Sequence, residues 1–403
     1  MAFIRLARVL NLTGYGLLEL ALAVMIFLTL LVDLGTGKLG TREIAARTDS
    51  VPALVRRVVS AQLLLAIAVY GLLGLVVFCL PVEATLTRLL LGFAVSLFGF
   101  PFLLPWVFQG LNRMAPVAAL QVVRQSVFLV VVLSVVHAPT DLLRLPWAEV
   151  LAVAAAAVGY VGMLWYAGEP VTINLRVGCD PQLLREGLPI GGSQLVWACR
   201  MYLPILLLAA RSGQASTGFF GAALRIVMVG QTLLATYFTT LFPAMSEVSF
   251  QSPTALARLL QRSMRRMLWS TVALAGATTL AAPLVMRLVF GSHFMLPEAS
   301  ATLAVLVWII PILAWRRHHS DALIALKHQG EEFACSLFGL ALLVALTLQL
   351  SSRLGAAGGA WAMVISELAG AAVTWWRSTR YLPDLRLPRA PELTSISTTN
   401  AAK

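Results

Sequence analysis

The stretch VSAQLLLAIAVYGLLGLVVFCL, residues 59–80, runs through 22 positions without one charged side chain. As a helix rising about 1.5 Å per residue it is roughly 33 Å long, enough to cross a hydrocarbon core of about 30 Å. Strand-like alternation with period two is absent, and a lone strand in lipid would leave its backbone groups unpaired. The stretch is therefore a membrane-crossing helix. Similar runs recur outward on both sides, near 16–34, 88–109, 117–137, 147–167, 187–210, 217–246, 268–290, 299–325, 333–351 and 358–376, giving eleven spans in all. The whole chain of 403 residues agrees: 59% is hydrophobic, only 12% is charged, and the mean hydropathy is +0.85. Soluble domains carry about 25% charged residues, so a soluble fold is excluded. Prolines inside spans (Pro101, Pro105, Pro189, Pro204, Pro283, Pro311) predict kinks.

The net charge of +12 lies mostly in short connections. One alternating set holds Lys38, Arg42, Arg47, Arg56, Arg57, Arg113, Arg176, Arg185, Arg258, Arg262, Arg265, Arg266, Arg316, Arg317, Lys327, Arg377, Arg380, Arg386, Arg389 and Lys403. The other holds only Arg5, Arg8, Arg88, Arg144, Arg211 and Arg353. This asymmetry puts the first set, and the C-terminus, in the cytoplasm. It also assigns the positive charge to orienting helices in a membrane, with no nucleic-acid partner. The implied cytoplasmic loops lie near 35–58, 110–116, 168–186, 247–267 and 326–332. The four cysteines (Cys79, Cys179, Cys199, Cys335) show no metal or disulfide spacing, and the N-terminus shows no cleavable signal.

Eleven spans with the C-terminus inside put the N-terminus outside, where Arg5 and Arg8 fit poorly. Phe3 to Leu10 reads as the tail of a helix, with translation starting further upstream or the gene truncated. A shift of 204 residues lays Gly14-Tyr15 on Gly218-Phe219 and Glu43-Ile44 on Glu247-Val248. Two halves of equal orientation are a common transporter plan, with substrate between them. The expected organisation is all-α: an N-terminal lobe at 1–167, a cytoplasmic linker at 168–186, a C-terminal lobe at 187–382 and a disordered tail at 383–403. It follows a six-plus-six plan lacking most of helix one.

Several short patterns carry a family resemblance. They are ArgValLeu-x3-GlyTyrGly (8–16), AspLeuGly (33–35), ThrArgGluIleAla (41–45), GlyLeuProIle (187–190), GlyPhePheGlyAlaAlaLeuArgIle (218–226), LeuPheProAlaMetSer (241–246) and GlyAlaAlaGlyGlyAlaTrpAla (355–362). With these the chain resembles the O-antigen and exopolysaccharide flippases of the multidrug/oligosaccharidyl-lipid/polysaccharide flippase superfamily. The resemblance implies two lobes opening alternately to each side of the bacterial inner membrane. It implies that an undecaprenyl-pyrophosphate-linked oligosaccharide is moved to the outer leaflet. Expected partners are that lipid-linked glycan, membrane lipids, and a polysaccharide polymerase with glycosyltransferases. Two departures stand out: the first helix is nearly missing, and an acidic residue of the seventh family helix is replaced around Arg200-Met201-Tyr202.

The candidate substrate-binding residues are Arg225, Arg200, Arg124, Arg42 and Glu367. An arginine at mid-bilayer costs about 2.5–3.5 kcal/mol on insertion scales, so it faces a wet cavity or a partner. Arg225 and Arg200 sit at similar depth on two arms of one hairpin, where guanidinium forks suit phosphate oxygens. The competing reading is a structural Arg–Glu pair, with Glu367 as the balancing charge. Arg124 lies within reach of the cytoplasmic interface and reads as snorkelling, and Arg287 as an interfacial anchor. The run Arg316-Arg317-His318-His319-Ser320-Asp321 reads either as a loop orienting its span, the preferred reading, or as the wall of a cytoplasmic cavity. Gly-rich phosphate loops, HExxH and GxSxG are absent, and no His or carboxylate cluster has metal spacing, so neither enzyme chemistry nor a cofactor is expected. The rival functions are a multidrug or organic-cation exporter of the same superfamily, a membrane polysaccharide polymerase, and an inactive truncated relative.

Overall fold

The computed structural model describes residues 2–46, 51–167, 181–251, 253–294, 296–325 and 328–381. The helices in chain order are α1 (Ala2–Val9), α2 (Leu12–Asp33), α3 (Thr36–Ala46), α4 (Val51–Cys79), α5 (Ala84–Ala94), α6 (Pro105–Gly110), α7 (Met114–Val135), α8 (Leu145–Tyr166), α9 (Pro181–Gln251), α10 (Pro253–Leu280), α11 (Ala282–Phe290), α12 (Pro297–Leu306), α13 (Ile309–Ala325) and α14 (Gln329–Tyr381). Among the described residues there is no strand.

Eight helical segments are long and apolar enough to cross a membrane, or nine when Arg258–Leu280 and Ala282–Phe290, bent by 75°, count as one. Two of the eight reverse direction. α9 leaves helical geometry at Gly213 (φ 82°) and α14 at Gly355 (φ 56°), where a side chain would resist the left-handed backbone. In α9 the Tyr202 hydroxyl lies 3.8 Å from the Met228 sulfur. Those residues are 26 apart in sequence, and a straight helix would hold them about 39 Å apart. In α14, Arg377 and Tyr381 reach back to Glu331 in the same way. Counting both limbs of each hairpin, the described residues hold eleven apolar helical limbs, one for each apolar run.

The structure corrects several details of the sequence reading. Much of the expected cytoplasmic loops is helical: α3 fills Thr36–Ala46, α4 begins at Val51, α9 at Pro181 and α10 at Pro253. A backbone near a membrane surface satisfies itself most readily as helix, whatever its charge. The run from Arg316 to Asp321 is likewise inside α13 rather than a loop. Proline breaks occur at Pro101 and Pro105, where short 3-10 turns (Val95–Phe98, Phe100–Phe102) precede α6, and next to Pro283. Pro189 and Pro204 leave α9 unbroken, and the sharpest turns belong to the glycines. Residues 168–180 of the expected linker and the expected disordered tail lie outside the described residues.

The two halves touch at both ends of the bundle. At the end carrying most of the basic residues (the basic end), Leu34 and Gly35 turn in left-handed geometry against the start of α9. A Cβ on Gly35 would come within 2.5 Å of the Gly187 carbonyl oxygen. Asp33 holds that turn by accepting from Gly35 N–H (3.2 Å), Gly37 N–H (3.1 Å) and the Gln62 amide (3.1 Å). The AspLeuGly pattern is thus a junction between halves. At the opposite end, a Cβ on Gly16 would lie 1.8 Å from the Gln214 carbonyl oxygen, and one on Gly218 would lie 3.3 Å from Gly16 N. Small residues let these two backbones meet, as in close-packed membrane helices. The Gly14-Tyr15 and Gly218-Phe219 segments therefore face one another. Tyr15 and Phe219 both pack edge-on to Phe294, at 5.5 and 5.9 Å between ring centroids.

Candidate functional site

Between those two closures lies a cavity of about 350 Å³ lined by both halves. α2 contributes Glu19, α7 Arg124, α8 Glu149 and the second limb of α9 Arg225. Arg225 makes a two-point contact with Glu19: Nε donates to Oε1 at 2.5 Å and Nη2 to Oε2 at 3.0 Å. The local sequence builds this contact. Gly221 stands one turn before Arg225, and a Cβ there would press within 2.5 Å of Glu19 Cγ. Glycine clears the path by which the carboxylate reaches the guanidinium. On its other face Arg225 stacks on the Phe3 ring of α1, 3.4 Å from the centroid. Arg124 pairs with Glu149 on the other side of the cavity and lies 5.5 Å from the Phe100 ring.

A second cavity of about 400 Å³ lies within the second half, towards the basic end, between α9, α13 and the start of α14. Beneath it Glu367, 2% exposed, accepts from two arginines. Arg200 donates to Oε1, and Arg316 donates to Oε2 at 3.0 Å. Arg316 also donates to the Ser336 hydroxyl at 2.8 Å and stands 3.8 Å from Glu332. Around it on α13, His318, His319 and Asp321 are all buried. Arg317 is exposed and pairs with Asp321 at 2.9 Å, four residues on. The alternative reading of this run, a cavity wall, is the one the fold adopts.

The sequence-predicted residues therefore separate. Arg225 lines the cavity between the halves, and its carboxylate partner is Glu19, not Glu367. Arg200 belongs to the other cavity and takes the structural pairing with Glu367. Since Tyr202 faces Met228 across the hairpin, Arg200 sits about five residues further from the tip than Arg225, roughly 7 Å along the helix axis. The two positions are therefore offset along the hairpin. Arg124 does not merely reach for the interface, because Glu149 holds it within the bundle. Arg42 is exposed on α3 and lines neither cavity. Sequence reasoning missed Glu19, Glu149 and the stacking Phe3. The available signal was the rarity of carboxylates inside apolar spans: each needs a cationic partner at its own depth. No group of three or more His, Cys, Asp or Glu suited to a metal occurs among the described residues.

The polysaccharide biosynthesis protein family profile matches residues 1–249. In fold, the chain is similar to an inward-facing multidrug resistance MATE family transporter of the MOP superfamily, with TM-score 0.79 and 15% identity over 96% of this chain and 94% of that one. It is similar to the lipid II flippase MurJ in its inward closed conformation, with TM-score 0.77 and 13% identity over 93% and 84% of the two chains. An outward-facing MATE family transporter scores 0.56 at 15% identity over 93% and 86%. No curated protein matches the sequence. Through a match spanning more than half its length, the chain belongs to the polysaccharide biosynthesis protein family, on the helical membrane fold shared by MATE transporters and the MurJ flippase.

Proposed function

We propose that this protein is a flippase that moves an undecaprenyl-pyrophosphate-linked oligosaccharide from the inner to the outer leaflet of a bacterial inner membrane by alternating access. The observation that carries this reading is the Glu19–Arg225 fork across the cavity between the halves. A guanidinium offers a carboxylate and a phosphate the same two-point geometry. While no substrate is bound, Glu19 neutralises Arg225 and ties the first half to the second. A pyrophosphate entering the cavity takes the carboxylate's place, with Arg124 as a second donor across the space, and the tie between the halves is released. Substrate binding and the freedom of the halves to move are then one event. The C-terminus faces the cytoplasm in this reading, so the open access route is from the basic end, where pyrophosphate is loaded. Polymerase and glycosyltransferases would act on the same glycan before and after it crosses.

Glycan export in cells lacking their own flippase tests this. Arg225→Lys keeps the charge but loses the fork and should impair export, while Arg225→Ala should abolish it with the protein still folded and inserted. If the pair is only structural, Arg225→Ala combined with Glu19→Ala should restore stability and export together. Full export by that double variant would remove Arg225 from the substrate site. Export of organic cations in place of glycan would support the multidrug reading instead.

A further inference from the structure

The second half ends, away from the basic side, in two hairpin tips lying side by side, one turning at Gly213 and the other at Gly355. The Ser212 hydroxyl donates to the Ser351 carbonyl at 2.7 Å and pins the tips together. Glu298, from the start of α12, braces the second tip: one of its oxygens accepts from the Ser216 hydroxyl at 2.9 Å and from Ala356 N–H at 3.0 Å. Between them opens a polar cleft of about 420 Å³. Arg211 and Arg353 line it, each two residues before the glycine of its turn. Both are exposed, and neither has an ion-pair or hydrogen-bond partner among the described residues. Two other basic residues at this end are engaged: Arg8 donates to the Leu288 carbonyl, and Arg144 pairs with Asp141 at 2.8 Å. Ser351 also lines the cleft, and its hydroxyl oxygen is buried without a partner among the described residues.

We propose that this cleft binds the phosphate of a singly charged phosphodiester through Arg211, Arg353 and the Ser351 hydroxyl. Two guanidiniums against one carboxylate leave a single positive charge, matching a phosphodiester better than a doubly charged phosphate. Two planar forks approaching from separate tips can take different oxygens of one tetrahedral group. The buried serine hydroxyl supplies a third donor, which a hydrophobic or cationic ligand would leave unsatisfied. The chemistry is shared by an anionic phospholipid headgroup and by a soluble glycerophosphodiester. The proposal rests on the hairpin tips alone, so it stands or falls separately from the cavity between the halves.

Native mass spectrometry of the purified full chain, with phosphatidylglycerol in one arm and soluble glycerophosphoglycerol in the other, tests it. Binding of the lipid alone assigns the cleft to a membrane lipid. Binding of both shows that the headgroup suffices. Arg211→Gln with Arg353→Gln should weaken binding about tenfold, because each exposed charged contact contributes about half that free energy. Each single variant should give about threefold by the same reasoning, with monodispersity unchanged. Arg88→Gln removes an exposed arginine at the same end but outside the cleft, and should leave binding as it was. Equal losses for Arg88→Gln and the cleft variants, or no binding in either arm, would overturn the proposal.

Discussion

Replacing Glu367 with glutamine is the sharpest test of how the second half tolerates arginines in the bilayer. The substitution keeps the shape of the side chain and removes the charge that both Arg200 and Arg316 face. Removing one partner from a buried ion pair costs about 3–5 kcal/mol, because the charge left behind is neither solvated nor paired. Arg316, with a side chain only 5% exposed, keeps Ser336 at 2.8 Å and Glu332 at 3.8 Å, while Arg200 opens onto the cavity. These compensations place Glu367→Gln near the lower figure, about 3 kcal/mol. Arg200→Met should cost less, about 1–2 kcal/mol, because Glu367 retains Arg316 and loses one hydrogen bond. The double variant leaves only Arg316 under-neutralised, so it should be more stable than Glu367→Gln alone. Unfolding of the purified protein in mixed micelles, arranged as a double-mutant cycle, measures all three. Additive losses, or Arg200→Met as costly as Glu367→Gln, would refute a shared carboxylate as the organising charge.

Further outcomes follow from the same geometry. Gly221→Ala should push Glu19 off Arg225, costing about 1–3 kcal/mol by overpacking and lowering export alongside the melting temperature; an unchanged export rate would mean that the fork is dispensable. In a background free of native cysteines, Gln214→Cys should be labelled by an impermeant thiol reagent on intact cells, and Arg42→Cys only after permeabilisation. The reverse pattern would invert the orientation read from the basic residues.

What could be read from the sequence was whatever depends on one segment at a time. The stretch 59–80 shows by length and hydropathy alone that it crosses a membrane, and α4 (Val51–Cys79) contains nearly all of it. The same local logic found the α9 hairpin, since a polar break between two apolar runs needs no knowledge of its neighbours. It failed where a local rule had two outcomes. The run Arg316 to Asp321 looked like a connection because it is polar, yet its charges are neutralised by Glu367, Glu332 and Asp321, and so it remains helical, with all but Arg317 buried. The prolines Pro189 and Pro204 lie within α9 without leaving helical geometry, as membrane helices tolerate.

The pairing of charges lay beyond the sequence. Arg225 finds Glu19 206 positions away, and Arg200 finds Glu367 167 positions away. Composition and depth say that each buried arginine needs a carboxylate, but several carboxylates qualify. Which one is met depends on which helices stand side by side, and on glycines such as Gly16 and Gly221 that let two backbones approach. The sequence by itself determined a helical membrane protein of eleven spans with arginines at depth, because transfer from water to lipid is a property of each segment. Only the tertiary structure decided that Arg225 bridges the two halves while Arg200 is held within one, because an ion pair in low dielectric forms only between groups that packing has already brought within a few ångströms.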